Sequence, residues 1–296
     1  MASVYIEDKK KLKGIRTMLL AIAFINAVVT IILTLISSFF EKPMPVLIQA
    51  LITGVLAYVI PIVIYARING VTAAVASKRF CIKRCNGLLL FLAAVMGACW
   101  QFAMVIINLP FNLIFGTAGG YTLSTIGELL AAIVIICAIP AIFEEFLFRG
   151  IVGGTMSELN TKAAAIFSAT MFALLHADIC AFAGYLCMGI ILYSVVRRTS
   201  SLYAAMMFHF SNNTVAVLLD YFNSELQFEP ALTLGLFVGG VLGFLVLYAL
   251  FMMGTPKPES VSKLKSSHML GQNFISLPVL LCVMVVVATT VLLRML

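Results

Sequence analysis

Residues 140–150 read Pro-Ala-Ile-Phe-Glu-Glu-Phe-Leu-Phe-Arg-Gly. Two adjacent carboxylates, Glu144 and Glu145, and a guanidinium, Arg149, thus follow a run from Leu129 to Phe143 with no charged residue. A charge at the centre of a bilayer costs roughly 2.5–3.5 kcal/mol on insertion scales, so such groups face a protein interior and mark function. Glu145 and Arg149 stand four apart, the acid N-terminal to the base, which is the favourable order for a pair on one helix face. Glu144 lies about 100° further round, at 3.6 residues per turn. The spacing predicts a neutralising structural pair, Glu145–Arg149, and leaves Glu144 for chemistry. For this stretch alone, a structural charge cluster at the membrane edge is the competing reading.

Two other polar sites lie in apolar surroundings. Phe172-Ala-Leu-Leu-His176 closes one apolar run, and His209-Phe-Ser-Asn-Asn213 sits inside another. In each, the outer members are four apart and share a helix face. Either histidine alone reads as an interhelical hydrogen-bonding residue. A carboxylate, two imidazoles and an amide around one cavity suit hydrolysis instead. Glu144 would hold and deprotonate a water, His176 would share that water or shuttle its proton, and His209 with Asn213 would donate to a tetrahedral oxyanion. A metal scheme uses the same residues. Glu144, His176 and His209 are the types that ligate catalytic zinc, with the other glutamate as base. Asn is an uncommon zinc ligand and a good oxyanion donor, so the metal-free scheme, with no cofactor, is preferred.

These residues need helices to hold them. The chain is 62% hydrophobic and 10% charged, with a mean hydropathy of +1.12. Long continuous apolar runs predict an all-α polytopic membrane protein, one domain over 1–296, and argue against a β-barrel. Spans are expected at 17–40, 46–66, 88–109, from 122 through the Glu-Glu motif, 162–176, 179–196, 201–219, 230–253 and 275–293. That makes about eight to nine transmembrane helices, with a catalytic core on helices 4 to 7. Ser157, Asn160 and Thr161 offer turn and cap chemistry between the fourth and fifth. With a turn there, Glu144, His176, His209 and Asn213 all fall about 12–21 Å up their helices, in one slab. Pro140, one turn before Glu144, predicts a kink. The uncharged loop 110–121 is expected to dip into the interface, and Gly254–Gln272 to be a polar linker. Gly235, Gly239 and Gly243 recur every four residues and predict a helix-packing face.

The net charge of +7 does not signal nucleic acid, because the basic residues flank apolar spans. Lys9 to Arg16, Arg67 to Arg84, Lys162, Arg197, Arg198 and the linker lysines fall on one side. The acidic loop of Asp220, Glu225 and Glu229 falls on the other. The positive-inside rule then puts the N-terminus in the cytoplasm of a protein integral to the cell membrane. The seven cysteines are scattered, most of them inside apolar spans and Cys81 and Cys85 in a basic loop, and imply no disulfide framework.

Glu-Glu-x-x-x-Arg, Phe-x-x-x-His and His-x-x-x-Asn, in that order on successive membrane helices, resemble the CPBP intramembrane proteases. These are also called the CAAX-protease and bacteriocin-processing, or Abi, family. The resemblance covers about Thr122 to Leu219. It implies that Glu144, His176, His209 and Asn213 are catalytic and that Glu145 and Arg149 belong to the first motif. It also implies an intramembrane endopeptidase of the kind that includes CAAX prenyl endopeptidases, sometimes classed as metalloproteases. A peptide or membrane-anchored protein tail would be its substrate and the lipid bilayer its surroundings. Two other classes compete: a non-catalytic immunity or scaffold protein on the same fold, and a proton-coupled transporter. The second would show paired broken helices in two related halves, which the sequence lacks.

Overall fold

The computed structural model describes residues 2–39, 45–116, 123–226 and 230–295. These form helices joined by short turns. In chain order they are α1 (Ala2–Phe39), α2 (Val46–Ile68), α3 (Ala73–Arg79), α4 (Gly87–Phe115), α5 (Ile126–Ser157), α6 (Thr161–Leu175), α7 (Phe182–Thr199), α8 (Leu202–Leu226), α9 (Pro230–Gly254), α10 (Ser266–Phe274) and α11 (Leu277–Met295). The fold is therefore all-α, and its helices have the composition of a polytopic membrane protein. Among the described residues six helices are long and apolar enough to cross a bilayer, and a seventh if α10 and α11, bent by 59°, count as one. The expected total of eight to nine also counted α6 and α7. Helix α6 has only 15 residues, short of the ~20 a bilayer needs, and α7 ends on Arg197 and Arg198.

The chain around the site is fixed at its turns. Thr125 and Glu128 form a reciprocal capping box that starts α5, satisfying donors that would otherwise be orphaned. Asn160 caps α6, its Oδ1 accepting from Ala163 N at 2.8 Å. Its Nδ2 donates to the Leu264 carbonyl at 2.7 Å, so the 255–265 segment is pinned across the end of α6. The expected polar linker is thus partly structural: Arg198 donates to the carbonyls of Met252 and Thr255, and Ser266–Phe274 is helical. The expected interfacial dip at 110–121 is not a loop at its start, since α4 continues through Pro110 to Phe115. Residues 117–122 lie outside the described ones.

One core holds α4, α5, α6, α7 and α8 together, with Phe148, Phe167, Phe172, Met188, Leu192 and Phe208 fully buried. Helices α4 and α8 touch so closely that a Cβ on Gly97 would collide with the Phe208 carbonyl. Ser211 closes the same contact by donating to the Ala94 carbonyl at 2.6 Å. The four-residue glycine repeat of α9 is corrected here. Nothing approaches Gly235 or Gly239; of the three only Gly243 packs on α4, where a Cβ would come within 3.3 Å of Cys99 Sγ, and the closest approach is at Gly240, which meets Phe102. Leu234, Leu245 and Val246 of α9 are exposed, as a face turned to lipid requires.

Candidate active site

Helix α5 changes winding twice around the carboxylates. Residues Ile133–Ala138 and Phe146–Gly154 are π-helical, and the α-helical Ile139–Glu145 lies between them. Such bulges concentrate at functional sites because they re-aim side chains and release carbonyls. Pro140 supplies no N–H for the Ile136 carbonyl four residues back. That carbonyl instead accepts from Asn213 Nδ2 of α8 at 3.3 Å. A local consequence of one proline thus becomes a bond between two helices.

Arg149 and Glu145 are fully buried, and Arg149 Nη1 donates to Glu145 Oε1 at 2.8 Å. The guanidinium also lies over the Phe172 ring, 4.2 Å from its centroid, a favourable cation–π placement. The same Oε1 accepts from His209 Nδ1 at 2.9 Å. Sequence spacing predicted the first bond. It gave no signal of the second, because residues 145 and 209 are brought together only by packing α5 on α8. Phe172 is the hub of the site: its ring also meets Phe148, His176, Tyr185 and His209 edge-on.

Glu144 points the other way, into a cavity of about 290 Å³ bordered by α2, α5, α7 and α8 and by the end of α6. His176, His209 and Asn213 border the same space. His176 Nε2 stands 3.6 Å from Glu144 Oε2, and His209 Nε2 4.0 Å. Glu144 Oε2 has no hydrogen-bond partner among the described residues. Separations of this size are ones a shared water spans. The tautomers follow from the partners. A carbonyl only accepts, so His176 Nδ1, 2.7 Å from the Phe172 carbonyl, carries a hydrogen. His209 Nδ1 carries one toward the Glu145 carboxylate. Where a ring is neutral its Nε2 turns a lone pair toward Glu144, and where it is protonated it turns an N–H there.

Three features of the cavity were not legible in the sequence. Tyr185 of α7 stacks on His176, centroids 3.9 Å apart at 26°. Helix α2 supplies a whole wall, including Thr53, Gly54 and Tyr58. Helix α11 reaches the turn after His176, where Ala177 takes a left-handed conformation, φ +53°, and Thr290 Oγ1 lies 3.1 Å from its carbonyl. As for a metal, no group of three or more His, Cys, Asp or Glu side chains among the described residues is arranged to hold an ion. The zinc set of Glu144, His176 and His209 shares the cavity without that arrangement.

Fold and site together define a helical membrane protein with a buried acid–imidazole cluster opening on an interhelical cavity. Residues 126–215 match the family model of the type II CAAX prenyl endopeptidases, Rce1-like. This segment, which runs from the capped start of α5 past Asn213, is consistent with the CPBP/CAAX protease family. No curated protein and no solved structure matches it. The match supports a peptidase.

Proposed function

We propose that this protein is an intramembrane endopeptidase that cleaves the tails of membrane-anchored peptides or proteins, CAAX-type tails among them. The observation that carries the reading is the meeting of Glu144, His176, His209 and Asn213, from α5, the end of α6 and α8, at one cavity within the segment that matches the family. Glu144 is the base: its unpartnered oxygen takes a proton from water as that water attacks the scissile carbonyl. His176, held by the Phe172 carbonyl, shares the water and relays the proton to the leaving amine. Asn213 has one amide N–H on Ile136 and turns the other to the oxyanion. His209 donates from Nε2 only when both its nitrogens carry hydrogen, since Glu145 already holds Nδ1–H. The Glu145–Arg149 pair acts through His209 and is a positioning element. The walls of the cavity are largely apolar, with Ile135, Ile139, Phe143 and Val217 among them, which suits a substrate presented from the bilayer.

We further propose that the N-terminus and the 255–265 segment face the cytoplasm of the cell membrane, on the charge bias of the loops. The activity is tested by profiling peptides released from membranes carrying the wild type against Glu144→Gln. A peptide released by the first and absent from the second supports the endopeptidase. Identical profiles in both would overturn it.

A further inference from the structure

The stabilisation of a tetrahedral oxyanion rests on preorganised donors aimed at the oxygen, and the motif residues supply few. The Nδ1–H of His176 is held by the Phe172 carbonyl, that of His209 by Glu145, and one Asn213 N–H by the Ile136 carbonyl. Glu144 accepts. With neutral imidazoles, one Asn213 N–H is the whole complement from the motifs. The hydroxyls bordering the same cavity are those of Thr53, Tyr58 and Tyr185. Thr53 is short and sits in the α-helical part of α2, where a threonine hydroxyl turns back to its own helix. The Tyr185 ring is committed to stacking on His176.

Tyr58 differs from both. It lies in the π-helical stretch Val55–Val59 of α2, beyond the family-matched segment. Its ring is half-buried against the core, and it borders the same cavity as Glu144 and Asn213. The geometry points to Tyr58 as a further catalytic residue, whose phenol O–H donates to the oxyanion beside Asn213. The inference rests on the peptidase reading of the same cavity. In the step, water adds its oxygen to the scissile carbonyl carbon while one of its protons passes to Glu144, and the carbonyl π pair moves onto the carbonyl oxygen. Tyr58 and Asn213 hydrogen-bond that oxygen and keep their own protons. On collapse the C–N bond breaks, and the proton on Glu144 is relayed through His176 to the leaving amine.

The test uses full-length protein in lipid nanodiscs and two probes: a prenylated CAAX-type peptide, and its isostere with a phosphinate in place of the scissile amide. The phosphinate mimics the tetrahedral anion. In wild type it should bind more tightly than the amide peptide does to Glu144→Gln, which holds the substrate uncleaved. Tyr58→Phe should weaken phosphinate binding about tenfold or more, as expected for a hydrogen bond to a charged group. Placed on Glu144→Gln, it should leave amide-peptide binding within about twofold, since a donor to the oxyanion favours the transition state over the substrate. Cleavage by Tyr58→Phe should show kcat lowered roughly 10²-fold with KM little changed, and its thermal unfolding should match wild type. Unchanged phosphinate affinity would overturn the role, and so would equal weakening of both probes, which marks a mere wall residue. A wild type that does not prefer the phosphinate would sink the peptidase reading, and Tyr58's role with it, before any variant is made.

Discussion

At the residue scale, two adjacent glutamates do opposite work because a helix turns about 100° per residue. Glu145 faces the core, bonded to Arg149 and His209, and Glu144 faces the cavity. Removing either half of the buried pair strands the other charge, which costs about 3–5 kcal/mol. Glu145→Ala and Arg149→Ala should therefore each lower folded yield and unfolding temperature in detergent. Retention of full yield and stability with loss of activity alone would show that the pair is not structural. Glu144→Gln keeps shape and loses basicity, so it should abolish peptide release at near-normal yield, and His176→Ala should do nearly the same. Asn213→Ala should lose about 10²–10³ in rate. It also strands the Ile136 carbonyl, so it should cost roughly 1–3 kcal/mol of stability. Asn213→Asp should be slower still, because a carboxylate repels the oxyanion.

At the scale of elements, α5 shows how one proline shapes a site. The π-helical stretch before Pro140 closes its hydrogen bonds over one residue more than an α-helix does, as an inserted residue would. Its loss would rotate everything beyond it by about 100°. Pro140→Ala supplies the missing N–H to Ile136 and competes with Asn213 for it. The variant should keep wild-type thermal stability yet cleave roughly 10²-fold more slowly, because small misplacements at a reacting centre carry that penalty. Parallel assays of unfolding and release check it. The turn after α6 offers a second case. Ala177 adopts a left-handed conformation that a Cβ disfavours, so Ala177→Gly should raise stability by roughly 1 kcal/mol. No rise in unfolding temperature would mean that the strain is offset elsewhere.

At the scale of the molecule, the site is enclosed by helices from well beyond the matched segment. Helix α2 walls the cavity and α11 reaches the turn after His176. Metal dependence is a property of this whole enclosure. Chelation of purified, detergent-solubilised protein should leave cleavage unchanged. Near-stoichiometric zinc, lost and regained together with activity, would replace the water-activating scheme by one in which His176, His209 and a glutamate are ligands. Orientation is read in intact cells. A cysteine introduced into the 255–265 segment should resist an impermeant thiol reagent, and its labelling would reverse the topology.

Much of this was legible from local rules. Apolar run length gave the membrane class and most helices, since a bilayer demands about 20 apolar residues whatever the partners. Four-residue spacing gave the Glu145–Arg149 bond and the shared face of His209 and Asn213, and the Asn160 cap followed from side-chain chemistry. Other features belong to packing between distant segments. The sequence does not carry the bond from Glu145 to His209, the capture of the Ile136 carbonyl by Asn213, or the ring of Tyr185 on His176. Each depends on which helix lies beside which and at what rotation. The same holds for α9, where Gly235 and Gly239 of the regular spacing meet nothing and the contact with α4 falls at Gly240 and Gly243. Periodicity tells which residues share a face, whereas only the docked neighbours decide what that face meets. Tyr58 is the sharpest instance: in sequence it is one aromatic residue in an apolar span, and the fold of α2 against α5 brings it to the cavity that Glu144 borders.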